Sequence, residues 1–184
     1  QQPSNRVANH ALVFMVQGLH HKWKQPVGYY FSHGGVTGKM LVKLLKEVLR
    51  ACREAGLIVV TTVCDMGTNN ISALKEMGAS YQKPYFTFEN HEVVTIYDPP
   101  HLMKCTRNML YKHDVQLKVK VGEEESRAMT ASWTHIREAV MLDRKNLYPA
   151  LYSITDQHLD PDAFRKMKVS LAAHVMSNKM AASL

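Results

Sequence analysis

The spacing of apolar positions changes period several times along the chain, and each change predicts an element. Residues 11–17, ALVFMVQ, read as a strand, and residues 26–32, PVGYYFS, as its partner. Between them a polar tip, 18–25, carries His20, His21, Lys22, Trp23 and Lys24, so the pair reads as a hairpin with a long loop. Over 39–55 the period becomes helical. Met40, Leu41, Leu44, Leu45, Val48, Leu49 and Cys52 fall on one side, Lys43, Lys46, Glu47 and Arg50 on the other, and Gly56 ends the helix. Residues 57–64, LIVVTTVC, form an apolar β-branched run, which predicts a strand buried on both faces as in a parallel sheet. A short helix over 69–77 closes at Gly78. The loop 80–90 follows, whose Tyr85, Phe86 and Phe88 read as packing residues rather than a base-stacking platform. Residues 92–97, EVVTIY, predict a further strand, and Asp98-Pro99-Pro100 leads into a helix over 101–112, since proline suits a helix entrance.

After Asp114 the character shifts. Residues 116–121, QLKVKV, read as a short strand or an extended linker. The rest is helical in pattern: one helix over 128–142, an interruption at Pro149, and another starting at Asp160-Pro161-Asp162 and running to Met176. A domain boundary is expected near 115–122.

Composition narrows the field only a little. The 184 residues are 46% hydrophobic and 21% charged, ordinary for a globular protein, and suffice for one or two domains. No apolar run approaches the roughly 20 residues that span a bilayer, and no signal-peptide pattern opens the chain. A formal charge of +7 suits an anionic partner such as nucleic acid. Cys52, Cys64 and Cys105 form no C-x-x-C pair and read as buried free thiols of a reducing compartment. The ten histidines lack zinc-ligand spacing.

The candidate chemistry sits where the 57–64 run ends in Asp65, followed by Met66-Gly67-Thr68-Asn69-Asn70. A carboxylate just past the C-terminal end of such a strand lies on the edge where α/β sheets place their sites. A turn former or helix N-cap is the plainer reading of the same residue. Asp98 is a second carboxylate in an equivalent place, with Lys104, Arg107 and Lys112 on the helix behind it. The stretch from Gly34 to Lys39 is glycine-rich, but it fails as a phosphate loop. Three residues, not four, separate Gly34 from Gly38, and Met40 follows Lys39 where Ser or Thr is required. A turn with Thr37 near the helix start is the better reading.

The phrases CDMGTNN (64–70), YDPPHLMKCTRNML (97–110), WTHIREAV (133–140) and KMKVSLAAHVMSN (166–178) together resemble the P-element-type transposases, including the THAP-domain transposases of animal genomes. The resemblance covers nearly the whole chain from Ala11. It implies an RNase H-like catalytic domain interrupted by a helical GTP-binding insertion. In that domain three acidic residues hold divalent metal ions, Mg²⁺, for cleavage and joining of DNA strands. The expected fold class is α/β: a partial RNase H-like mixed sheet with flanking helices over 1–115, then the N-terminal part of the helical insertion over 116–184. On this alignment Asp65 matches the second acidic residue and is the expected catalytic and metal-binding position. Asp98 is a site-edge residue with a lesser claim on metal. Lys104, Arg107 and His101 are candidates to meet nucleic-acid phosphate.

The first acidic residue has no counterpart in 1–10, and the third belongs to a helix beyond residue 184, so an internal fragment is expected. With one of three carboxylates, the 184 residues alone are expected to show no strand transfer. Lacking the first strand of the sheet, they should be marginal or aggregation-prone. Implied partners are transposon-end DNA, a guanine nucleotide and a second copy of the intact protein, in the nucleus and with no membrane role. The resemblance assigns no nucleotide-contacting residue. A host-adopted, catalytically dead module binding DNA or protein is the alternative. An unrelated nucleotide-binding protein using Gly34–Lys39 is a third reading.

Overall fold

A computed structural model describes residues 6–119 and 127–184 and divides the chain into two compact units, Gln1–Asp98 and Pro99–Leu184. In the first unit, β1 (His10–Gln17) and β2 (Lys24–Ser32) form an antiparallel two-stranded sheet, with a register irregularity between Phe14 and Met15 where Pro26 lies opposite. Proline cannot donate to the ladder, which accounts for the irregularity there. The helix α1 (Gly38–Glu54) starts at Thr37, whose hydroxyl accepts from the Met40 amide at 3.4 Å. Both features match the sequence reading. The glycine-rich stretch has a packing role. A Cβ on Gly38 would lie 2.9 Å from Ser72 Cβ and 3.3 Å from the Asn69 carbonyl, so glycine lets α1 approach α2 (Thr68–Glu76) closely.

A second sheet has the order β3-β5-β4. Strand β3 (Thr61–Cys64) runs parallel to β5 (His91–Tyr97), and β4 (Tyr85–Phe88) pairs antiparallel with β5. Two expectations change here. The 57–64 run is strand only from Thr61, and it is not buried on both faces: Ile58 is 71% and Val63 59% exposed. Helices α1 and α2 pack one side, where Leu49, Leu74, Phe86 and Val93 form the core with Leu45 and Val59 against it. The β-branched residues on the other side are left uncovered. The supposed loop 80–90 holds β4, because Glu89 and Asn90 adopt positive φ (45° and 66°) and turn the chain back as a tight hairpin into β5. Its aromatics do pack, with Phe86 wholly buried.

The second unit is mainly helical. Its α3 (Pro99–Lys112), α4 (Trp133–Asp143), α5 (Asp156–Leu159), α6 (Val169–Val175) and α7 (Asn178–Ala181) are accompanied by a hairpin of β6 (Val115–Val119) and β7 (Arg127–Ala131). Trp133, Ile136, Val140, Leu151, Ile154, Leu159, Val175 and Met180 make its core, with Leu110 and Tyr111 of α3 packed on it. That packing explains why the units divide at Asp98/Pro99 and not near 115–122, which places α3 with the insertion-like part. Residues 128–131 are strand rather than helix, and α4 begins only after Ser132, whose hydroxyl accepts from the Thr134 amide. The helix expected from Asp160 is broken: a 3₁₀ turn at Arg165–Met167 precedes α6, and Lys168 between them is extended.

Candidate active-site edge

Parallel pairing brings two carboxylates to one edge. Cys64 and Tyr97 are the last paired residues of β3 and β5, so Asp65 and Asp98 each follow directly at the C-terminal ends of neighbouring strands. The Asp98 amide donates to the Cys64 carbonyl at 2.8 Å, which continues the ladder one step and fixes this juxtaposition. Asp65 is exposed. Its Oδ1 accepts from the Gly67 amide at 2.8 Å and from Asn70 Nδ2 at 2.7 Å, so the carboxylate is held by the turn it helps to make. A Cβ on Gly67 would meet that same oxygen at 2.9 Å. Asn70 was legible in the sequence only as a polar turn residue; its amide contact depends on the first turn of α2 folding back toward the strand end. Cys64, half-buried beside Asp65, has its thiol pKa raised, first by burial and then by the Asp65 charge.

Hard oxygen donors suit Mg²⁺, and these two carboxylates match it in kind. They do not match it in number: among the described residues no group of three His, Cys, Asp or Glu side chains can hold a metal ion. The described residues therefore do not make up a metal site by themselves.

The basic candidates separate. Lys104 and His101 are half-buried on α3. Arg107 is fully buried, which removes it as a phosphate contact on an open surface. Its Nη2 donates to the Lys166 carbonyl at 2.8 Å and its Nε to Asn108 Oδ1 at 2.7 Å, while Nη1 has no partner among the described residues. Helical spacing placed Arg107 on the face of α3 that turns out to pack inward, and burial lowers its pKa. Cys105, expected to be buried, is exposed; Cys52 is buried, and all three thiols are free. No helix is long and apolar enough to cross a membrane among the described residues.

Comparison with known proteins agrees with this architecture. Residues 1–78 match the family model "TNP-like, RNase H N-terminal domain", and residues 100–184 match "TNP-like, GTP-binding insertion domain". The Transposable element P transposase of Drosophila melanogaster is 31% identical over 92% of this chain and 21% of its own length. Human DNA transposase THAP9 is 20% identical over 97% of this chain and 19% of its own length. The chain thus spans about a fifth of the length of the curated relatives it matches. A solved structure, the Drosophila P element transposase strand transfer complex, superposes with a TM-score of 0.80 at 27% identity. That match covers 96% of this chain and 37% of the other. By both matched stretches and by its fold, this chain belongs to the P-element-type transposase family.

Proposed function

We propose that the protein containing this chain is a DNA transposase. In this reading Asp65 supplies one oxygen ligand to a divalent-metal site, and residues 100–184 form part of a guanine-nucleotide-binding unit. The observation that carries it is the pairing of Asp65 and Asp98 at the ends of parallel neighbours, on an RNase H-like segment similar to a strand transfer complex. Bound Mg²⁺ would stabilise the attacking and leaving oxygens of the phosphodiester. The part of this chain is to hold the Asp65 carboxylate in place through Gly67 and Asn70. The remaining ligands come from outside the described residues, and the nucleus is the expected compartment.

The test is Asp65→Asn in the full-length protein, with Mg²⁺-dependent cleavage of transposon-end DNA and duplex binding measured side by side. Loss of cleavage with binding retained supports the reading, and cleavage unaffected by D65N overturns it. A wild-type protein that binds DNA but shows no metal-dependent cleavage is instead the host-adopted binding module. GTP, but not ATP, is expected to raise the thermal midpoint of the same protein.

A further inference from the structure

The β1–β2 tip is a cationic, aromatic feature of the first unit that neither the sheet core nor the Asp65 edge uses. No Asp or Glu occurs before Glu47, so the whole hairpin is without a carboxylate while carrying Lys22, Lys24, His20 and His21. All four are exposed, and none of the ion pairs among the described residues involves either lysine. Solubility alone would be served by charge, yet the tip also presents apolar surface: Leu19 is 72% and Trp23 39% exposed.

The indole is held in place. The Gly18 amide donates to the Trp23 carbonyl at 3.1 Å, and the Trp23 amide donates to the His21 carbonyl at 2.9 Å. A Cβ on Gly18 would lie 2.4 Å from Trp23 Nε1, so the ring lies on the glycine and could not keep that position over any larger residue. A ring pre-positioned by backbone bonds loses little conformational freedom on binding.

From this geometry we infer that the 18–24 tip is a DNA contact, with Lys22 and Lys24 on phosphates and Leu19 and Trp23 against base faces. Phosphate neutralisation by lysine is the sequence-independent part of DNA affinity, and aromatic rings stack on any base. Apolar wedges flanked by cations are also the means by which proteins part neighbouring base steps. DNA offers phosphates to the lysines and base faces to the indole within one ligand, so DNA is the better-fitting partner. The inference rests on the transposase reading for its biological setting, but not on Asp65.

The experiment uses the full-length protein with a fluorescent 30-base single strand and the corresponding duplex, titrated at several salt concentrations. K22A/K24A is expected to weaken duplex binding about tenfold at low salt. It should also reduce the log–log salt slope by about 1.8, two phosphate contacts at roughly 0.9 each. L19A, at a residue that is largely exposed, and W23A should each weaken single-strand binding at least about fivefold, and W23F should restore most of the loss. Unchanged affinity and slope in K22A/K24A overturn the inference, as does a loss confined to polyglutamate or RNA competitors. D65N serves as the reference. If it abolishes cleavage while the tip variants bind as wild type, the tip assignment falls and the transposase reading stands. If D65N leaves cleavage intact while the tip variants lose binding, the reverse holds.

Discussion

His158 Nε2 donates to His174 Nδ1 across 3.1 Å, and the Thr155 amide sets the direction of that bond. Because Thr155 N–H donates to His158 Nδ1 at 3.1 Å, the neutral ring carries its proton on Nε2. A second proton on His158 would set its Nδ1–H against the Thr155 N–H at the α5 cap. Burial pushes the His158 pKa down, and the neighbouring His174 and Arg107 push it further.

A pH dependence follows, with a definite sign. The folded chain keeps His158 neutral below its ordinary value of about 6.5, whereas the unfolded chain binds the proton there. This stability is fully present above about pH 6.5 and is lost as pH falls from there through the lowered folded value. The urea midpoint should therefore drop between pH 7.5 and 5.5, and His158→Phe should flatten that slope. An equal drop in H158F would assign the effect to other groups.

Arg107 anchors α3 to the segment before α6 through the Lys166 carbonyl. Arg107→Ala should cost about 2–4 kcal/mol, from lost packing and a carbonyl left without its donor. Arg107→Lys should not restore it, since an ammonium cannot make the forked contacts to Lys166 and Asn108. Any loss of DNA affinity in R107A should track the unfolded fraction seen by circular dichroism; a loss in fully folded protein would contradict the buried role.

Phe86 is wholly buried in the centre of the first unit's core. Phe86→Ala should destabilise by about 3–5 kcal/mol, and Phe86→Leu by a fraction of that. Denaturant titration checks both, and a cost below about 1 kcal/mol for F86A would mean that the site collapses around the cavity.

Asn70 fixes the Asp65 carboxylate from 2.7 Å. On the proposed transposase reading, Asn70→Ala should raise the Mg²⁺ needed for half-maximal cleavage by about 10–100-fold, the usual effect of removing a group that holds a metal ligand in place. The thermal midpoint should change little, because Asn70 sits in the exposed first turn of α2. An unaltered Mg²⁺ dependence would make Asn70 a turn residue only.

Much of the fold was legible because local patterns and tertiary packing agree. The α1 stripe from Leu41 to Cys52, its Thr37 cap and the β1–β2 pair needed only period and turn chemistry to be found. Legibility failed where one-dimensional signals are degenerate. Val60 and Val63 are β-branched whether covered on two faces or one, and only the placement of α1 and α2 decides which. Residues 128–131 have helical composition, yet they pair with Val115–Lys118 because the hairpin partner is present.

By itself the sequence determined the two carboxylates at strand ends, the failed phosphate loop and the motif words that tie the chain to its family. Each of these depends on residue identity and short spacing. Only the tertiary structure decided that Arg107 faces inward, that Gly38 serves the α1–α2 approach, and that Asn70 reaches back to Asp65. Those outcomes depend on which surfaces meet. Burial and hydrogen-bond partners are properties of pairs of elements distant in the chain, and no local pattern carries them.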